Sequence, residues 1–362
     1  MSECLWKANW PETKRHFADW WNREGLVLGM WGAPAAGTPR TAGSRPELPS
    51  TVAETYTDTA WRAAKIHDDL SRSAFPADIL PVADTNMGPG SLALFLGSEP
   101  TFDPDTIWFS DVFRDVEEPE SLPPLRFDPG NRWWKQTEDQ LRRCRALAGN
   151  DYMVGCPDLV EGLDILATLR EPQTLLMDML ERPEWVEEKL LEIAAVWQDV
   201  YGRIHDIIKL GDGGSAYWAF YLWGPGKTAK VQCDMSAMFS PEMFARFVVP
   251  GLTAQCEWLD CSLYHLDGTQ ALCHLDHLLG IDALDAIEWT PQAGIETGGS
   301  PRWYDLYRRI LAAGKSVQVM DVLPVEIIPL LDAIGGNGVH ISAKFRSERE
   351  AKEMEARVDA YR

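Results

Sequence analysis

The chain has 362 residues, of which 45% are hydrophobic, and its formal net charge at pH 7 is -21. This length and apolar content allow a large buried core in one large domain or two ordinary ones. The negative charge argues against nucleic acids, anionic membranes and polyanionic substrates, because like charges repel. No run of the sequence approaches the ~20 apolar residues that a membrane span requires.

The seven cysteines are scattered and odd in number, and no two of them form a C-x-x-C pair. That pattern is typical of reduced thiols in a cytosolic protein. The first residues, Met-Ser-Glu-Cys-Leu-Trp-Lys, are polar and lack the apolar core of a signal peptide. We therefore expect a cytoplasmic location and no membrane partner.

Residues 1–74 are predicted to form a helical N-terminal extension. Residues 10–23 combine Pro11 near the start of a helix with aromatic residues at helical spacing. Residues 51–70 have a second helical pattern, and residues 26–32 form an apolar run between the two helices. We expect this extension to pack on the rest of the molecule.

From residue 75 onwards, short apolar runs alternate with helical patterns. Strands are predicted at 77–84, 152–158, 216–223, 230–234, 262–267, 285–289, 316–321 and 339–343. Helices are predicted at 132–148, 172–210, 240–259, 269–279, 301–313 and 324–334. The acidic, Pro-rich segment 102–131 is predicted to be a long excursion over one face. Eight alternating units predict an α/β fold, a (β/α)8 TIM barrel over residues 75–362.

The segment 261–267 carries the clearest chemical signal. It reads Cys-Ser-Leu-Tyr-His-Leu-Asp, and it ends immediately before Gly268. Side chains alternate along a strand, so His265 and Asp267 share a face. A barrel presents its catalytic groups at the carboxyl ends of its strands. The alternative interpretation is a core histidine that is held by a neighbouring carboxylate.

Several other carboxylates also stand at predicted strand ends, where they can converge at one rim. When carboxylates lie close together, the repulsion between their charges drives their pKa values apart, so that one can serve as an acid and another as a base. The alternative is that each aspartate caps the helix that follows it. The predicted catalytic residues are His265, Asp267, Asp158 and Asp78, with Asp84 as the alternative to Asp78. The predicted substrate-binding residues are Trp218, Tyr221, Asp234, Trp289, Asp321 and Lys344.

A metal site is the second possibility for the same strand end. His265 and Asp267 offer two ligands, and a zinc ion commonly takes His together with other protein ligands. Cys273, His274 and His277 follow on the next helix and are a weaker ligand set.

Short motifs resemble those of the uroporphyrinogen decarboxylase superfamily, which includes the corrinoid-dependent methyltransferases. The resemblance covers roughly residues 75–345 and implies a (β/α)8 barrel with an open mouth, often dimeric. It implies that Asp78 is an active-site aspartate and that His265 occupies the histidine position of the family's His-x-Cys-Gly strand end. The motifs are Phe-Pro-Ala-Asp-Ile-Leu-Pro at 75–81, Asp-Leu-Val-Glu-Gly at 158–162, Ser-Pro-Glu-Met-Phe-Ala-Arg-Phe-Val-Val-Pro at 240–250, His-Leu-Asp-Gly at 265–268 and Ile-Glu-Trp-Thr at 287–290.

The sequence also departs from that family. It lacks the Arg-rich N-terminal segment that grips a porphyrinogen, and Asp158 replaces the family's active-site Tyr. Ile-Ser-Ala-Lys at 341–344 replaces Asn-Leu-Gly-His. Porphyrinogen decarboxylation is therefore rejected. Asp267 replaces the first zinc-binding Cys of the methyltransferases, and no Cys follows Cys273, so zinc-dependent thiol methylation fits less well.

The leading hypothesis is an enzyme that transfers a methyl group between a small organic molecule and a corrinoid carried by a partner protein. A zinc ion is a possible cofactor, and a homodimer is the expected assembly. Two alternatives stay open: a sugar-active hydrolase or lyase that uses strand-end carboxylates, and a non-catalytic binding protein on the same barrel.

Overall fold

Parallel strands surrounded by helices form the centre of the structure, a computed structural model that describes residues 4–41 and 44–362. The strands are β1 (Leu26–Gly29), β2 (Val82–Ala83), β3 (Pro100–Phe102), β4 (Ile107–Phe109), β5 (Met153–Cys156), β6 (Ser215–Tyr217), β7 (Leu222–Gly224), β8 (Thr228–Gln232), β9 (Cys261–Asp267), β10 (Ala286–Thr290), β11 (Ser316–Val322) and β12 (Val339–Ala343). The helices are α1 (Trp10–Trp21), α2 (Val52–Thr57), α3 (Thr59–Ser71), α4 (Leu92–Phe95), α5 (Arg132–Ala148), α6 (Gly162–Arg170), α7 (Pro172–Glu181), α8 (Pro183–Ile208), α9 (Pro241–Phe247), α10 (Val249–Trp258), α11 (Gly268–Ala271), α12 (Leu275–Leu279), α13 (Tyr304–Ala312), α14 (Ile327–Ile334) and α15 (Glu348–Val358). The predicted α/β class is confirmed.

Two sheets contain most of these strands. The larger is fully parallel in the order β1-β12-β11-β10-β9-β8, and the smaller has the order β2-β5-β6-β7 with β7 antiparallel. The backbone N–H of Asp78 donates to the carbonyl of Leu28 at 2.9 Å, which joins the chain before β2 to β1. At the other edge, β6 and β7 lie beside β8. In the described residues, the paired strands of these two sheets do not join into one continuous ring. The parallel sheet agrees with the predicted barrel, whereas closure into an eight-stranded barrel stays a prediction.

The structure differs from the predicted strands at three places. Of the predicted strand 77–84, only Val82–Ala83 is extended and paired, as β2. The apolar run at 26–32 contains β1, which pairs with β12, so the segment 1–74 contributes a strand to the larger sheet. The predicted strand 216–223 is a hairpin of β6 and β7 because Phe220 and Tyr221 adopt positive φ angles of 62° and 51°. A left-handed backbone cannot continue an extended strand.

Proline divides one of the predicted helices. The segment 172–210 forms α7 and α8, and Pro183 occupies the first turn of α8. A proline there has no N–H to continue the preceding helix, but its fixed φ suits the start of the next one. The predicted start of the helix at Ser240 is confirmed, since the Ser240 hydroxyl accepts from the backbone N–H of Met243 at 3.4 Å. Within the described residues, no helix combines the length and apolar character needed to cross a membrane.

Helix α1 lies against the amino ends of the strands. The Trp20 indole N–H donates to the carbonyl of Val317, near the start of β11, at 3.3 Å. The Trp21 indole N–H donates to the carbonyl of Trp223 in β7 at 2.8 Å. Since both rings are buried, this end of the sheet is closed by α1, and polar groups near the carboxyl ends lie at the opposite side.

A row of polar side chains crosses five adjacent strands of the larger sheet. In-register neighbours on parallel strands point to the same face. The strand pairings join Gln232 to His265, His265 to Glu288, Glu288 to Gln318, and Gln318 to His340. All except His265 are buried, and this row forms the floor beneath the carboxyl-end site.

Candidate functional site

His265, near the end of β9, is held by a buried carboxylate on the next strand. Its Nδ1 contacts Oε2 of Glu288, whose other oxygen accepts from the Thr290 hydroxyl at 2.6 Å. Glu288 is fully buried, so both of its oxygens are used to orient neighbours. Burial lowers the pKa of His265, but the charges of Glu288 and Asp234 outweigh burial and leave that pKa raised. The imidazole therefore turns Nε2 away from Glu288 and favours the protonated state.

Three potential ligands or acid–base groups meet at His265. Asp234, His265 and Asp267 each offer one donor atom, and these atoms all lie within 4.8 Å of one another. His265 Nε2 lies 3.9 Å from Asp234 Oδ1. Asp234 follows β8 and Asp267 ends β9. The structure thus brings together three of the residues that were selected from the sequence.

The same three residues fit a divalent metal ion. One imidazole nitrogen and two carboxylate oxygens suit zinc, manganese or iron. Histidine ligands commonly donate their other ring nitrogen to a carboxylate, and Glu288 stands in that position behind His265. Within the described residues, this is the one cluster of three such side chains with ligand spacing.

The weaker ligand set on the following helix does not join this cluster. The His274 ring stacks on Phe244 with centroids 4.4 Å apart, and its Nε2 bonds to the carbonyl of Ser236 at 2.9 Å. Its pKa is lowered, mainly by burial. His274 is therefore a packed core histidine.

A buried lysine connects Asp158 to the site. Lys230 Nζ lies 2.7 Å from Asp158 Oδ1 and also contacts the amide oxygen of Gln232. The Tyr217 hydroxyl bonds to Asp158 Oδ1 at 3.3 Å. The Gln232 amide N–H group donates to Asp234 Oδ2 at 2.9 Å. Asp158 thus reaches the cluster through Lys230 and Gln232 rather than by direct contact.

Carboxylates beside Asp234 perturb its titration. Burial and the charge of Asp164 raise the pKa of Asp234 to about 6, although His265 and Lys230 oppose them. Asp164 is fixed in place, since its oxygens accept from the backbone N–H groups of Asp234 and Met235, each at 2.9 Å. A group that titrates near neutral pH is suited to proton transfer.

An aromatic segment covers one face of His265. The Phe220 ring lies 4.8 Å from the imidazole, centroid to centroid, and the Phe220 carbonyl accepts from the Gln318 amide at 2.9 Å. Trp31 makes edge contacts with Phe220, Trp218 and Tyr221 at 5.2–6.0 Å. Trp218 and Tyr221, which were selected from the sequence as substrate-binding residues, flank the Phe220 ring that contacts His265.

Asp78 lies elsewhere, and this corrects the expectation that it shares a cavity with Asp158 and His265. Its carboxylate is buried between His16 Nδ1 at 2.7 Å and Arg362 Nη2 at 2.7 Å. Burial raises the pKa of Asp78, but these two partners outweigh it and hold that pKa below its usual range. His16 belongs to α1, so Asp78 is part of the network at the amino end of the sheet.

Trp289 also departs from its expected place. It is fully buried and packs against Trp303 with ring centroids 4.9 Å apart. Alternation along β10 turns Trp289 away from the face of Glu288, towards Trp303 just before α13. Asp321, near the end of β11, and Lys344, directly after β12, form a half-exposed pair at 2.9 Å.

Asp84, the alternative to Asp78, lines a separate cavity of about 450 Å³ together with Arg62 and Tyr221. Burial raises the pKa of Asp84 to about 6. Its cavity shares Tyr221 with the aromatic segment and thus lies next to the site.

Three contributors were missed in the sequence, namely Glu288, Lys230 and Gln232. Glu288 stands in an apolar run whose neighbours are Ile287 and Trp289, and Lys230 stands between Ala229 and Val231. A charged residue inside such a run is costly to bury without a partner. A single charged residue inside an apolar run was therefore the sequence signal that marked Glu288 and Lys230 as residues with a buried partner.

Comparison with known proteins shows a likeness of fold. No family model and no curated protein matches the chain. A methyltransferase from Methanosarcina mazei superimposes with a TM-score of 0.63, with 9% identity, over 96% of this chain and 98% of that one. A B12-independent methionine synthase from Shewanella sp. W3-18-1 superimposes with a TM-score of 0.47 and 10% identity, over 92% and 97% of the two chains. The chain therefore shares the fold of the first of these enzymes along nearly its whole length.

Proposed function

We propose that this chain is an enzyme that transfers a methyl group between a small organic molecule and a corrinoid carried by a partner protein. The observation that carries the proposal is the cluster of Asp234, His265 and Asp267 at the carboxyl end of the strands, with Glu288 behind His265. Likeness of fold to a methyltransferase supports it by analogy.

His265 supplies the acid in this proposal. Its raised pKa favours an imidazolium, and the contact with Glu288 leaves the Nε2 proton directed towards Asp234. When a methyl group leaves a heteroatom, the bonding electron pair stays on that heteroatom. A proton from Nε2 can neutralise that pair. The corrinoid, when bound, supplies the nucleophile that accepts the methyl group.

The surrounding residues control charge and water. Lys230 offsets the charge of Asp158 beneath the site, and Asp234 is bonded to Gln232. Phe220 covers one face of His265, so fewer water molecules reach the imidazole. Electrostatic interactions strengthen when water is excluded.

Asp234, His265 and Asp267 would be the ligands of a divalent ion. With zinc bound, Lewis acidity at the heteroatom would replace the proton from Nε2. Metal analysis of the purified protein distinguishes the two forms. One ion per wild-type chain, lost in Asp267→Asn, indicates the metal form, and a metal-free wild type that retains activity indicates the proton form.

The function is tested by anaerobic incubation with methylcobalamin and candidate methyl acceptors. We expect loss of the methyl–cobalt absorbance with wild type and at least a hundredfold slower loss with His265→Gln. Arg203→Gln, an exposed change on α8, serves as the control. An unchanged spectrum across amine, hydroxyl and thiol acceptors would count against methyl transfer.

Glycoside cleavage is the second candidate, because the carboxylates of Asp234 and Asp267 approach within 4.8 Å. Retaining glycosidases separate their carboxyl groups by about 5–5.5 Å, and inverting ones need about 6.5–9.5 Å. The separation of Asp234 and Asp267 is thus compatible only with a retaining glycosidase. Release of nitrophenol from aryl glycosides by wild type, and its loss in Asp267→Asn, would favour this candidate over the first.

A further inference from the structure

A cavity of about 70 Å³ lies between α8 and α10, beside the end of β8. Ala194 of α8 and Gly251 and Ala254 of α10 line it at the surface, since none of these small residues is buried. Its deeper lining is mostly apolar and includes Phe247 and Leu252. One water molecule needs ~10–15 Å³ of such space, so the cavity has room for one small organic molecule.

Three buried side chains of the lining end in a polar atom that has no hydrogen-bond partner among the described residues. They are Glu161 through Oε2, Trp197 through the indole nitrogen and Gln255 through the amide nitrogen. Each stands on a different element, because Glu161 precedes α6, Trp197 belongs to α8 and Gln255 belongs to α10. Buried polar atoms are normally paired. Three exceptions around one cavity therefore indicate a partner that the chain itself does not supply.

Water alone matches this cavity poorly. A buried water molecule typically makes ~3 hydrogen bonds to polar groups. The cavity has room for several water molecules, but apolar side chains form most of its wall. A molecule with an apolar body uses that wall, and a polar group on the same molecule serves the unpartnered atoms.

Gly251, in the first turn of α10, keeps the entrance of the cavity wide. Glycine is less favourable than alanine in a helix because it loses more backbone freedom on folding. A Cβ added at Gly251 would meet nothing within 4 Å among the described residues, and its φ angle lies outside the left-handed region. Neither packing nor backbone conformation therefore requires a glycine here, whereas an open entrance does.

The polar groups of the cavity select an uncharged ligand. The Trp197 indole N–H can only donate, so it opposes an ammonium group, which also only donates. Burial raises the pKa of Glu161 to about 8 against the opposing charge of Lys230, and the charges of nearby carboxylates, Asp164 and Asp158, contribute to that rise. A place that disfavours the Glu161 carboxylate also disfavours an anionic ligand. A hydroxyl group meets neither objection, since it can accept from Trp197 and either accept from or donate to Glu161.

We propose that this cavity binds a small uncharged molecule in which a short apolar body carries a hydroxyl group, as in a simple alcohol or phenol. The hydroxyl bonds to Trp197 and Glu161, and the body packs between α8 and α10. The other oxygen of Glu161 accepts from the backbone N–H of Gln232, whose amide donates to Asp234 at 2.9 Å. The cavity is thus linked to the cluster at His265 but separate from it, and this inference does not depend on the proposed function.

Binding is tested by calorimetry on the full chain at pH 7 with phenol. Toluene has a similar shape without the hydroxyl, and benzoate and benzylamine are charged analogues. We expect phenol to bind at millimolar concentration or below, and at least fivefold more tightly than each of the other three. Absence of phenol binding would mean that only water occupies the cavity. That result, or equal or tighter binding of toluene or of a charged analogue, would overturn the proposal.

Two variants at the entrance locate the binding. Gly251→Leu and Ala254→Leu place large side chains at exposed helical positions, so each should keep the melting temperature of wild type and weaken phenol binding at least tenfold. Gly202→Leu is the matched control, because Gly202 is a helical glycine of α8 outside the described lining whose added Cβ would also meet nothing within 4 Å. Phenol binding that survives in both entrance variants, or that weakens in the control, would contradict the assignment.

Trp197→Phe tests recognition of the hydroxyl, because it keeps an aromatic ring and removes the N–H. We expect it to weaken phenol binding at least threefold and to leave toluene binding unchanged, so that toluene reports whether the cavity is intact. An unchanged preference for phenol over toluene would show that Trp197 does not bind the hydroxyl, and the proposal would fail.

His265→Gln separates this inference from the proposed function. We expect this variant to bind phenol as wild type does, whereas the proposed function expects it to transfer no methyl group. If phenol binding is lost in His265→Gln and retained in Gly251→Leu, phenol occupies the site at His265 and the inference fails while the proposed function stands. If phenol binds at the cavity but no methyl transfer is found, the proposed function fails and the inference stands.

Discussion

Glu288 determines which nitrogen of His265 faces the site. It is buried in β10, and its two oxygens are taken by His265 and Thr290. A carboxylate behind a histidine fixes the ring orientation and increases its basicity. Glu288 therefore acts through His265 and need not touch a ligand.

Replacing Glu288 by Gln should keep the volume and remove the charge. If the cluster binds a divalent ion, we expect about 10–100-fold weaker affinity, measured by competition with a chromophoric chelator. Glu184→Gln, an exposed change, controls for loss of one negative charge. Unchanged affinity in Glu288→Gln would show that the contact with His265 is only structural.

Glu161 is a second buried carboxyl that responds to pH. Burial raises its pKa to about 8, although Lys230 and the backbone N–H of Gln232 oppose this shift. The pKa of a Glu side chain in an unfolded chain is ~4.3. Between that pH and about 8, the folded state therefore binds more protons than the unfolded state. The contribution of Glu161 to stability should thus fall as pH rises through this window.

The Glu161→Gln substitution removes this titrating carboxyl group. We expect its free energy of unfolding, relative to wild type, to improve as pH rises from about 5 to about 8. Urea titrations at several pH values measure this difference. A difference that stays constant across the window would mean that Glu161 is ionised in the folded protein.

The sequence indicated some of these residues and not others, for a physical reason. His265 and Asp267 stand at the end of an apolar run, where alternation and the barrel rule both apply. Asp78 stands at the start of one, and its family motif did not reveal the partners His16 and Arg362, which are distant in sequence. A contact between residues that are far apart in the chain leaves no signal in the local sequence pattern around either one.

At the level of elements, the hairpin of β6 and β7 positions the aromatic cover. Phe220 and Tyr221 form its turn with positive φ angles, a conformation that costs a bulky residue roughly 1–2 kcal/mol. The contacts with Gln318 and Trp31 hold the turn in place. Such strain at a candidate site is consistent with a positioning role for Phe220.

Two substitutions at Phe220 separate its ring from its backbone. Both Phe220→Ala and Phe220→Gly lose the ring contact with His265, but only glycine relieves the positive φ. We expect the glycine variant to be more stable than the alanine variant by about 1 kcal/mol. Thermal unfolding measures the order, and an alanine variant that is the more stable would show that the turn is unstrained.

The hairpin also shows a limit of pattern reading. Residues 216–223 are apolar and aromatic, as expected of a strand, and the left-handed turn carries no glycine or asparagine to mark it. By contrast, α5 has its predicted bounds, and in the structure Asn131 caps its start and Gly149 follows its last residue. Local capping chemistry is visible in a sequence, whereas a turn imposed by tertiary contacts is not.

Across the whole molecule, the N-terminal segment is joined to the sheet at several points. Strand β1 pairs with β12, and α1 closes the amino end through Trp20 and Trp21. Lys7 bonds to the carbonyl of Phe75 at 3.0 Å. These contacts support treating residues 1–74 as part of one folding unit, although the division at residue 75 is still a prediction.

A fragment that begins at residue 75 should therefore not fold. It would lose a sheet strand and expose the surface that Trp20 and Trp21 bury, at several kcal/mol for each aromatic ring. Limited proteolysis of the intact chain followed by mass spectrometry checks this. A stable, folded fragment starting near residue 75 would show that the segment is a separable domain.

The central claim is that His265 and Asp267 belong to a catalytic site rather than to the core. The direct measurement is the rate of methyl transfer beside the melting temperature for His265→Gln and Asp267→Asn. We expect both variants to lose activity. Asp267→Asn should melt close to wild type because Asp267 is exposed at the end of β9, whereas His265→Gln should melt lower because it removes the charged partner of the buried Glu288. Retained activity together with a large drop in melting temperature in both variants would contradict the central claim.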